Sequence, residues 1–295
     1  MPETLGQDVI LINENEIPTE LILNLLEKNH CSCVQLFERF LAYLQDKENS
    51  YGKFICLSDP YKSTLYGFIF ASNAGFVLHS FATDLSKPVV LNIINLLSDF
   101  FSNRKLYCIS GESLGTNIIA LALKKCGKFP EPAAQRKYTL MEFNKSSSII
   151  PDNTVFQIVP CNENHLEQIY PLQAYYDKIE VLPPNQPFNQ DLCRKNLTKA
   201  LKQNRVFGIY CNNEFIAKAS INGISEKFWQ IGGVFTKNEY RGKGCASNLT
   251  KHIASQAMLQ GKRTVLFVKN GNTPAEKAYT TAGFMPIGKY EIFYY

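Results

Sequence analysis

The sequence predicts a mixed α/β fold: a mostly antiparallel central sheet flanked by helices, laid down twice along 295 residues. Three observations predict it. Residues 229–283 read as strand, glycine-rich turn, helix, strand and helix. The order of helices, three strands, helix, strand, helix and strand occurs in each half of the chain. Between the halves, Asn144-Lys145-Ser146-Ser147-Ser148 is polar and of low propensity, which suits a domain joint. Two domains follow, 1–145 and 150–295.

The first half opens with helices over 18–26 and 33–45. In the second, Leu36, Phe37, Phe40, Leu41 and Leu44 fall on one face, as an amphipathic helix requires. Strands follow over 52–57, 65–72 and 75–83, with a hairpin turn at Asn73-Ala74-Gly75. Pro88 suits the first position of a helix, where its missing N–H costs nothing. That helix carries Val90, Ile93, Ile94, Leu97 and Phe101. A strand over 105–110, a helix over 116–125 closed by Gly127, and a strand over 138–143 complete the half.

The second half opens with a strand over 155–160. Asn162 can cap the next helix, which carries Leu166, Ile169, Leu172 and Tyr176. Val181-Leu182-Pro183-Pro184-Asn185-Gln186-Pro187 cannot be helical, because three prolines interrupt it. The helix over 190–203 has a basic run of Arg194, Lys195, Lys199, Lys202 and Arg205, a solvated face or a site for an acidic group. Asn212-Asn213 tolerates the left-handed conformation and makes a hairpin of the strands over 206–211 and 214–221. The strand over 228–236 contains Gly232-Gly233, which marks a bulge or the close approach of another backbone.

The following turn has the chemistry of an anion site. Ala246, Leu249, Ile253 and Ala257 recur near a helical period, and Gly261 ends that helix. Its first turn therefore falls at 242–245, where backbone N–H groups have no intrahelical partner and the helix end is positive. Gly242 and Gly244 let a phosphate approach the backbone. Arg241 and Lys243 add positive charge. The spacing Arg241-x-x-Gly244-x-Ala246 is neither a dinucleotide fingerprint nor a P-loop. Further on, Asn272-Thr273-Pro274 reads as an N-cap with proline at the first helical position. Tyr279 then shares a helical face with Ala275, Ala278 and Ala282.

Val234-Phe235-Thr236, the Arg241 turn and Asn272-x-x-Ala275-x-x-x-Tyr279-x-x-x-Gly283-Phe284 together resemble motifs A and B of the Gcn5-related N-acetyltransferase (GNAT) superfamily. The resemblance covers roughly the last half of the chain. It implies a GNAT fold and an acyl-coenzyme A co-substrate, acetyl-CoA, with no metal. It places the pyrophosphate on Arg241, Gly242, Lys243, Gly244, Cys245 and Ala246. Val234, Phe235 and Thr236 would run along the pantetheine arm, and Asn272 and Ala275 would line the cofactor. Tyr279 would be the general acid for the leaving thiolate. The acceptor would be an amine of a small molecule or a protein, and the proline loop would lie over its channel. Some members place the terminal carboxylate in the active site, which here would be that of Tyr295. The first half would be a degenerate copy, because Asp84-Leu85-Ser86-Lys87-Pro88 stands where the glycine turn should be and Leu123 stands near the place of Tyr279.

Composition narrows the class. A net charge of +5 suits an anionic co-substrate, but it lacks the dense basic stripe of a nucleic-acid binder. The N-terminus has no basic n-region, and no apolar run reaches ~18 residues. Nine cysteines without a Cys-x-x-Cys pair read as reduced thiols of a cytoplasmic protein. His30, Cys31 and Cys33 lack a second ligand pair at zinc spacing. The leading expectation is an acyl-CoA-dependent N-acyltransferase. Fem-like aminoacyl transferases also pair two such domains, but they do not keep the pyrophosphate turn. A non-catalytic acyl-CoA sensor would not need Tyr279. No general base stands out; Glu180 and Glu226 read as surface acids.

Overall fold

The computed structural model describes residues 8–49, 51–147, 156–183 and 186–295. Ile149 and Ile150 of the expected joint, Val155 and the Pro184-Asn185 step of the proline loop lie outside the described residues. The chain divides into two compact units: one runs up to Tyr138 and includes Lys289–Tyr295, the other is Thr139–Gly288. The sequence alone places 289–295 in the second half, whereas in the fold these residues belong to the first unit.

The first unit contains β1 (Ile10–Asn13), α1 (Thr19–Lys28), α2 (Val34–Gln45), β2 (Gly52–Ser58), β3 (Leu65–Ser72), β4 (Phe76–Phe81), α3 (Lys87–Phe101), β5 (Cys108–Glu112), α4 (Ser113–Lys125) and the start of β6 (Ala134–Phe143). Strands β1 to β4 pair antiparallel in sequence order, and β4 pairs parallel with β5. One face packs on α1 and α2 through Ile22, Leu26, Phe37, Phe40, Phe54 and Phe68. The other packs on α3 and α4 through Ile93, Leu97, Ile119 and Leu123. Tyr290–Tyr294 of the chain's last strand pairs antiparallel with Cys108–Glu112. Phe293 and Tyr295 join this unit's core, and the Tyr295 N–H donates to the Tyr107 carbonyl.

The first unit has no open glycine turn between β4 and α3. Ser86 precedes α3 and Pro88 sits in its first turn, removing a backbone donor. His79 fills the space beside β5. A Cβ placed on Gly111 would lie 2.2 Å from its Nε2, and one on Gly115 would lie 2.6 Å from its Nδ1. His79 Nε2 bonds Thr116 Oγ1 at 2.9 Å. Burial drives its pKa down to about 3, even with Glu112 Oε1 3.8 Å from Nδ1. The unfolded chain takes up this proton near pH ~6.5, whereas the folded unit resists it until about pH 3. Stability therefore falls as pH drops through that window. Protection factors of the β4 and β5 amides, which remove the intrinsic slowing of exchange, should fall between pH ~6.5 and ~4.5 in wild type and less in His79→Gln. An equal fall in both would contradict this.

The second unit contains the end of β6, then β7 (Gln157–Cys161), α5 (Leu166–Tyr176), α6 (Gln190–Lys202), β8 (Val206–Cys211), β9 (Glu214–Ile224), β10 (Phe228–Thr236), α7 (Cys245–Leu259), β11 (Arg263–Lys269), α8 (Thr273–Ala282) and the start of β12 (Phe284–Tyr294). Its strands are ordered β7-β8-β9-β10-β11, with β6 beyond β11. Asn212 and Asn213 have φ of 51° and 64°, the left-handed pair that a tight hairpin demands. One face packs on α7 and α8 through Leu249, Ile253, Ala257, Tyr279 and Ala282; the other packs on α5 and α6 through Ile169, Leu172, Leu197 and Leu201. The basic run on α6 turns partly to α5: Arg194 pairs with Glu167, and Lys202 lies 3.5 Å from Glu163. Such exposed pairs add little stability. After α5 the chain makes a π-helical turn, Asp177–Val181, closed by Leu182 N–H on the Asp177 carbonyl at 2.9 Å. No helix among the described residues is long and apolar enough to cross a membrane, and none of their His, Cys, Asp and Glu side chains form a group of three that could hold a metal.

Candidate active site

The site is built on β10. Its registered pairing with β11 covers Phe228–Ile231 against Arg263–Leu266. Further along, the registered partners of Gly232, Phe235 and Thr236 are all on β9. The register slips between Gln230 and Ile231 and between Gly232 and Phe235. Gly233 has φ +58°, which a residue with a Cβ adopts only with strain. A bulge here turns backbone groups out of the ladder. Val234 and Thr236 are half-buried.

The turn after β10 opens α7 as the sequence predicts. Gly242 and Gly244 have φ of 75° and 83°, and Gly244 is the N-cap residue of α7. A Cβ on Gly242 would meet nothing within 4 Å, and one on Gly244 would lie 3.4 Å from Asn248 Nδ2. Ser247 Oγ and Asn248 Nδ2 both donate to the Gly244 carbonyl at 2.9 Å. That carbonyl is thereby held in place while the N–H row of the first turn stays aimed outward. No acid sits in the first turn of α7. Arg241, Gly242 and Lys243 are exposed and Ala246 is half-buried. Arg241 folds back, its Nε donating to the Thr236 carbonyl at 3.3 Å. Lys243 Nζ lies 5.0 Å from the Tyr240 ring centre. The Cys245 side chain points into the core, so its backbone is the part that faces the turn.

The remaining residues divide. Val234, Ala275 and Tyr279 pack on one core cluster with Cys245. Phe235 faces the other way, into the α5 and α6 side, with its ring 5.3 Å from that of Tyr175. Asn272 caps α8, its Oδ1 accepting from Ala275 N–H at 3.2 Å, so that side chain serves the turn. Tyr279 is buried, and burial followed by the Glu180 carboxylate raises its pKa. Its phenol is therefore protonated at neutral pH, the state a proton donor needs.

Sequence reasoning missed Lys218, in the middle of β9 and fully enclosed. Its Nζ donates to Ser220 Oγ at 3.4 Å and lies 5.2 Å from the Tyr176 ring centre. A Cβ placed on Gly233 would lie 2.8 Å from that Nζ, so the ammonium sits against the bulge itself. Burial pushes its pKa down to about 8, opposed by Asp177. Lys218 lies on the side of β9 that α5 and α6 cover, near Tyr176 of α5 and Cys193 of α6. A lysine between Ile216 and Ser220 in a strand with apolar residues on both faces was the available signal.

Residues 169–284 match the model of the Acetyltransferase (GNAT) family. Solved structures resemble the chain in fold. An acetyltransferase of the GNAT family from Colwellia psychrerythraea is 14% identical, with TM-score 0.60, covering 98% of this chain and 99% of that one. A Drosophila protein is 13% identical, with TM-score 0.61 and coverage of 98% and 99%. A GCN5-related N-acetyltransferase from Sphaerobacter thermophilus is 12% identical, with TM-score 0.58 and coverage of 98% and 96%. Among curated proteins, none matches the sequence. The bulged β10, the glycine turn and α8 all fall inside the matched segment, and residues 169–284 of this chain form a GNAT-family domain.

Proposed function

We propose that the second unit transfers an acetyl group from acetyl-CoA to a primary amine of a small molecule or a protein by direct attack. The observation that carries this reading is the pairing of a bulged strand with an anion cradle: Gly233 at φ +58°, then Gly242 and Gly244 at φ +75° and +83° opening α7. A pyrophosphate fits the cradle because the space over Gly242 is open, only the Asn248 and Ser247 side chains border Gly244, and the positive helix end attracts it. Arg241 and Lys243 flank it with charge. Val234 and Thr236 offer main-chain bonds to the pantetheine arm, with the Thr236 carbonyl shared with Arg241. An N–H at Gly233 or Val234 faces the thioester carbonyl and stabilises the oxyanion formed on attack. Tyr279 gives its proton to the departing thiolate.

The first unit is the degenerate copy in this reading. Pro88 and the His79 plug leave it neither the donors nor the room for a second acetyl-CoA. Release of free CoA thiol from acetyl-CoA in the presence of a panel of primary amines tests the activity. Amine-dependent release supports transfer. Binding of acetyl-CoA without release under any amine favours the non-catalytic sensor. No binding reopens the aminoacyl-tRNA donor of the Fem-like reading.

A further inference from the structure

We propose that Lys218 takes the proton from the attacking amine, so that the base of this site is a buried lysine on β9. The inference rests on the acetyl-transfer reading above. The geometry is specific. Gly233 has no side chain, and the Lys218 Nζ occupies the space a Cβ there would claim, at 2.8 Å. The same bulge carries the N–H groups assigned to the thioester oxygen, so the acetyl-transfer reading puts the reacting carbonyl carbon on the side of the bulge that Nζ borders.

The surroundings favour a proton acceptor over a structural cation. The groups facing Nζ are the Ser220 hydroxyl on β9, the Tyr176 ring on α5, Asp177 at the π-turn, Cys193 on α6 and Cys161 on β7. Burial holds both thiols near 12, so neither is charged at neutral pH. Asp177 is the one acid in the set; its Oδ1 accepts from Gln173 Nε2 at 2.8 Å. Among the described residues, no carboxylate forms an ion pair with Lys218. A buried ammonium without an ion-pair partner is costly, and an apolar residue of similar volume is usually tolerated better. The lysine is therefore there for its chemistry. Burial already lowers its pKa to about 8, in the range of enzymic lysine bases.

The step balances. The amine nitrogen bonds to the thioester carbon and the carbonyl π pair moves onto oxygen. The nitrogen, now positively charged and acidic, loses a proton to the lone pair of neutral Nζ. Ser220 Oγ keeps Nζ oriented. The oxyanion re-forms the carbonyl, the C–S bond breaks, and the thiolate takes the Tyr279 proton. The cycle closes when the Lys218 ammonium loses the proton it took and the Tyr279 phenolate regains one, so that in net the amine proton ends on the CoA thiol.

The test combines a direct titration with kinetics. Protein labelled with 13C at lysine Cε is titrated by NMR, with the Lys218 signal assigned by its loss in Lys218→Met. That signal is expected to titrate near pH 8. Trp229, one strand away and the chain's single tryptophan, reports that the variant is folded. Lys218→Met should bind acetyl-CoA within about twofold of wild type but transfer to the amine panel ~10²-fold or more slowly. It should also lose the rise in kcat through pH 8. A Lys218 signal that stays charged to pH 9.5 overturns the proposal. So does a variant with the wild-type rate and pH profile, or a wild-type kcat that falls through pH 8, as an ammonium stabilising the oxyanion would give. Those outcomes leave acetyl-CoA binding intact. Absence of acetyl-CoA binding by wild type removes the transfer reading, and this proposal with it.

Discussion

Gly244→Glu is expected to abolish measurable acetyl-CoA binding while leaving the second unit folded. Gly244 is at φ +83°, where any other side chain strains the backbone by ~1–3 kcal/mol. The new carboxylate would also stand at the helix end assigned to the pyrophosphate, repelling it and taking its N–H donors. Each ~1.4 kcal/mol is tenfold in affinity, so repulsion and the loss of the N–H donors together should weaken binding ~10²-fold or more, while the strain lowers stability. A Cβ at this position meets Asn248 Nδ2 at 3.4 Å, a contact the side chain can relieve, so gross unfolding is not expected. Gly244→Ala separates the two effects: it keeps the strain and drops the charge, and should lose stability but stay within about tenfold of wild-type affinity. Calorimetry on both variants checks this. Undiminished binding in Gly244→Glu would remove the cradle from this helix start.

Tyr279→Phe is expected to lower kcat by ~10²–10⁴-fold, the usual contribution of a positioned proton donor, with acetyl-CoA affinity nearly unchanged. The ring is packed among core residues, 6.4 Å from the Phe284 ring centre, and phenylalanine keeps that packing. Stability should therefore change little, and the loss should appear in kcat. An unchanged kcat would leave Tyr279 as a core tyrosine. A thermal shift with proportionate losses in binding and rate would indicate a structural role.

Most of the second unit was legible in the sequence because local chemistry dictates it. The α7 period, its glycine start and its stop at Gly261 are all local, and so is the Asn212-Asn213 hairpin. The Asn272 cap with Pro274 behind it was equally readable. What escaped depends on contacts between distant segments. Lys218 is polar by type and buried by position, and only the covering of β9 by α5 and α6 reveals it. The π-turn at Asp177–Val181 has no strong local signature. The pairing of Tyr290–Tyr294 with β5 follows a long excursion of the chain, so periodicity could not assign it to the first unit. The site residues separate on the same principle. Phe235 and Val234 are neighbours in sequence but face opposite sides of a sheet, and only Val234 packs with Tyr279 and Cys245. His79 looked like an ordinary strand residue; Gly111 and Gly115, which make room for it, lie more than thirty residues away.

The most direct test of the account is a calorimetric titration of the full chain with acetyl-CoA, read for stoichiometry. One bound acetyl-CoA per chain is predicted, because the second unit has the cradle and the first has Pro88 and the His79 plug in its place. Absence of binding would contradict the acyl-transfer reading, and two equivalents per chain would contradict the assignment of the co-substrate to the second unit alone.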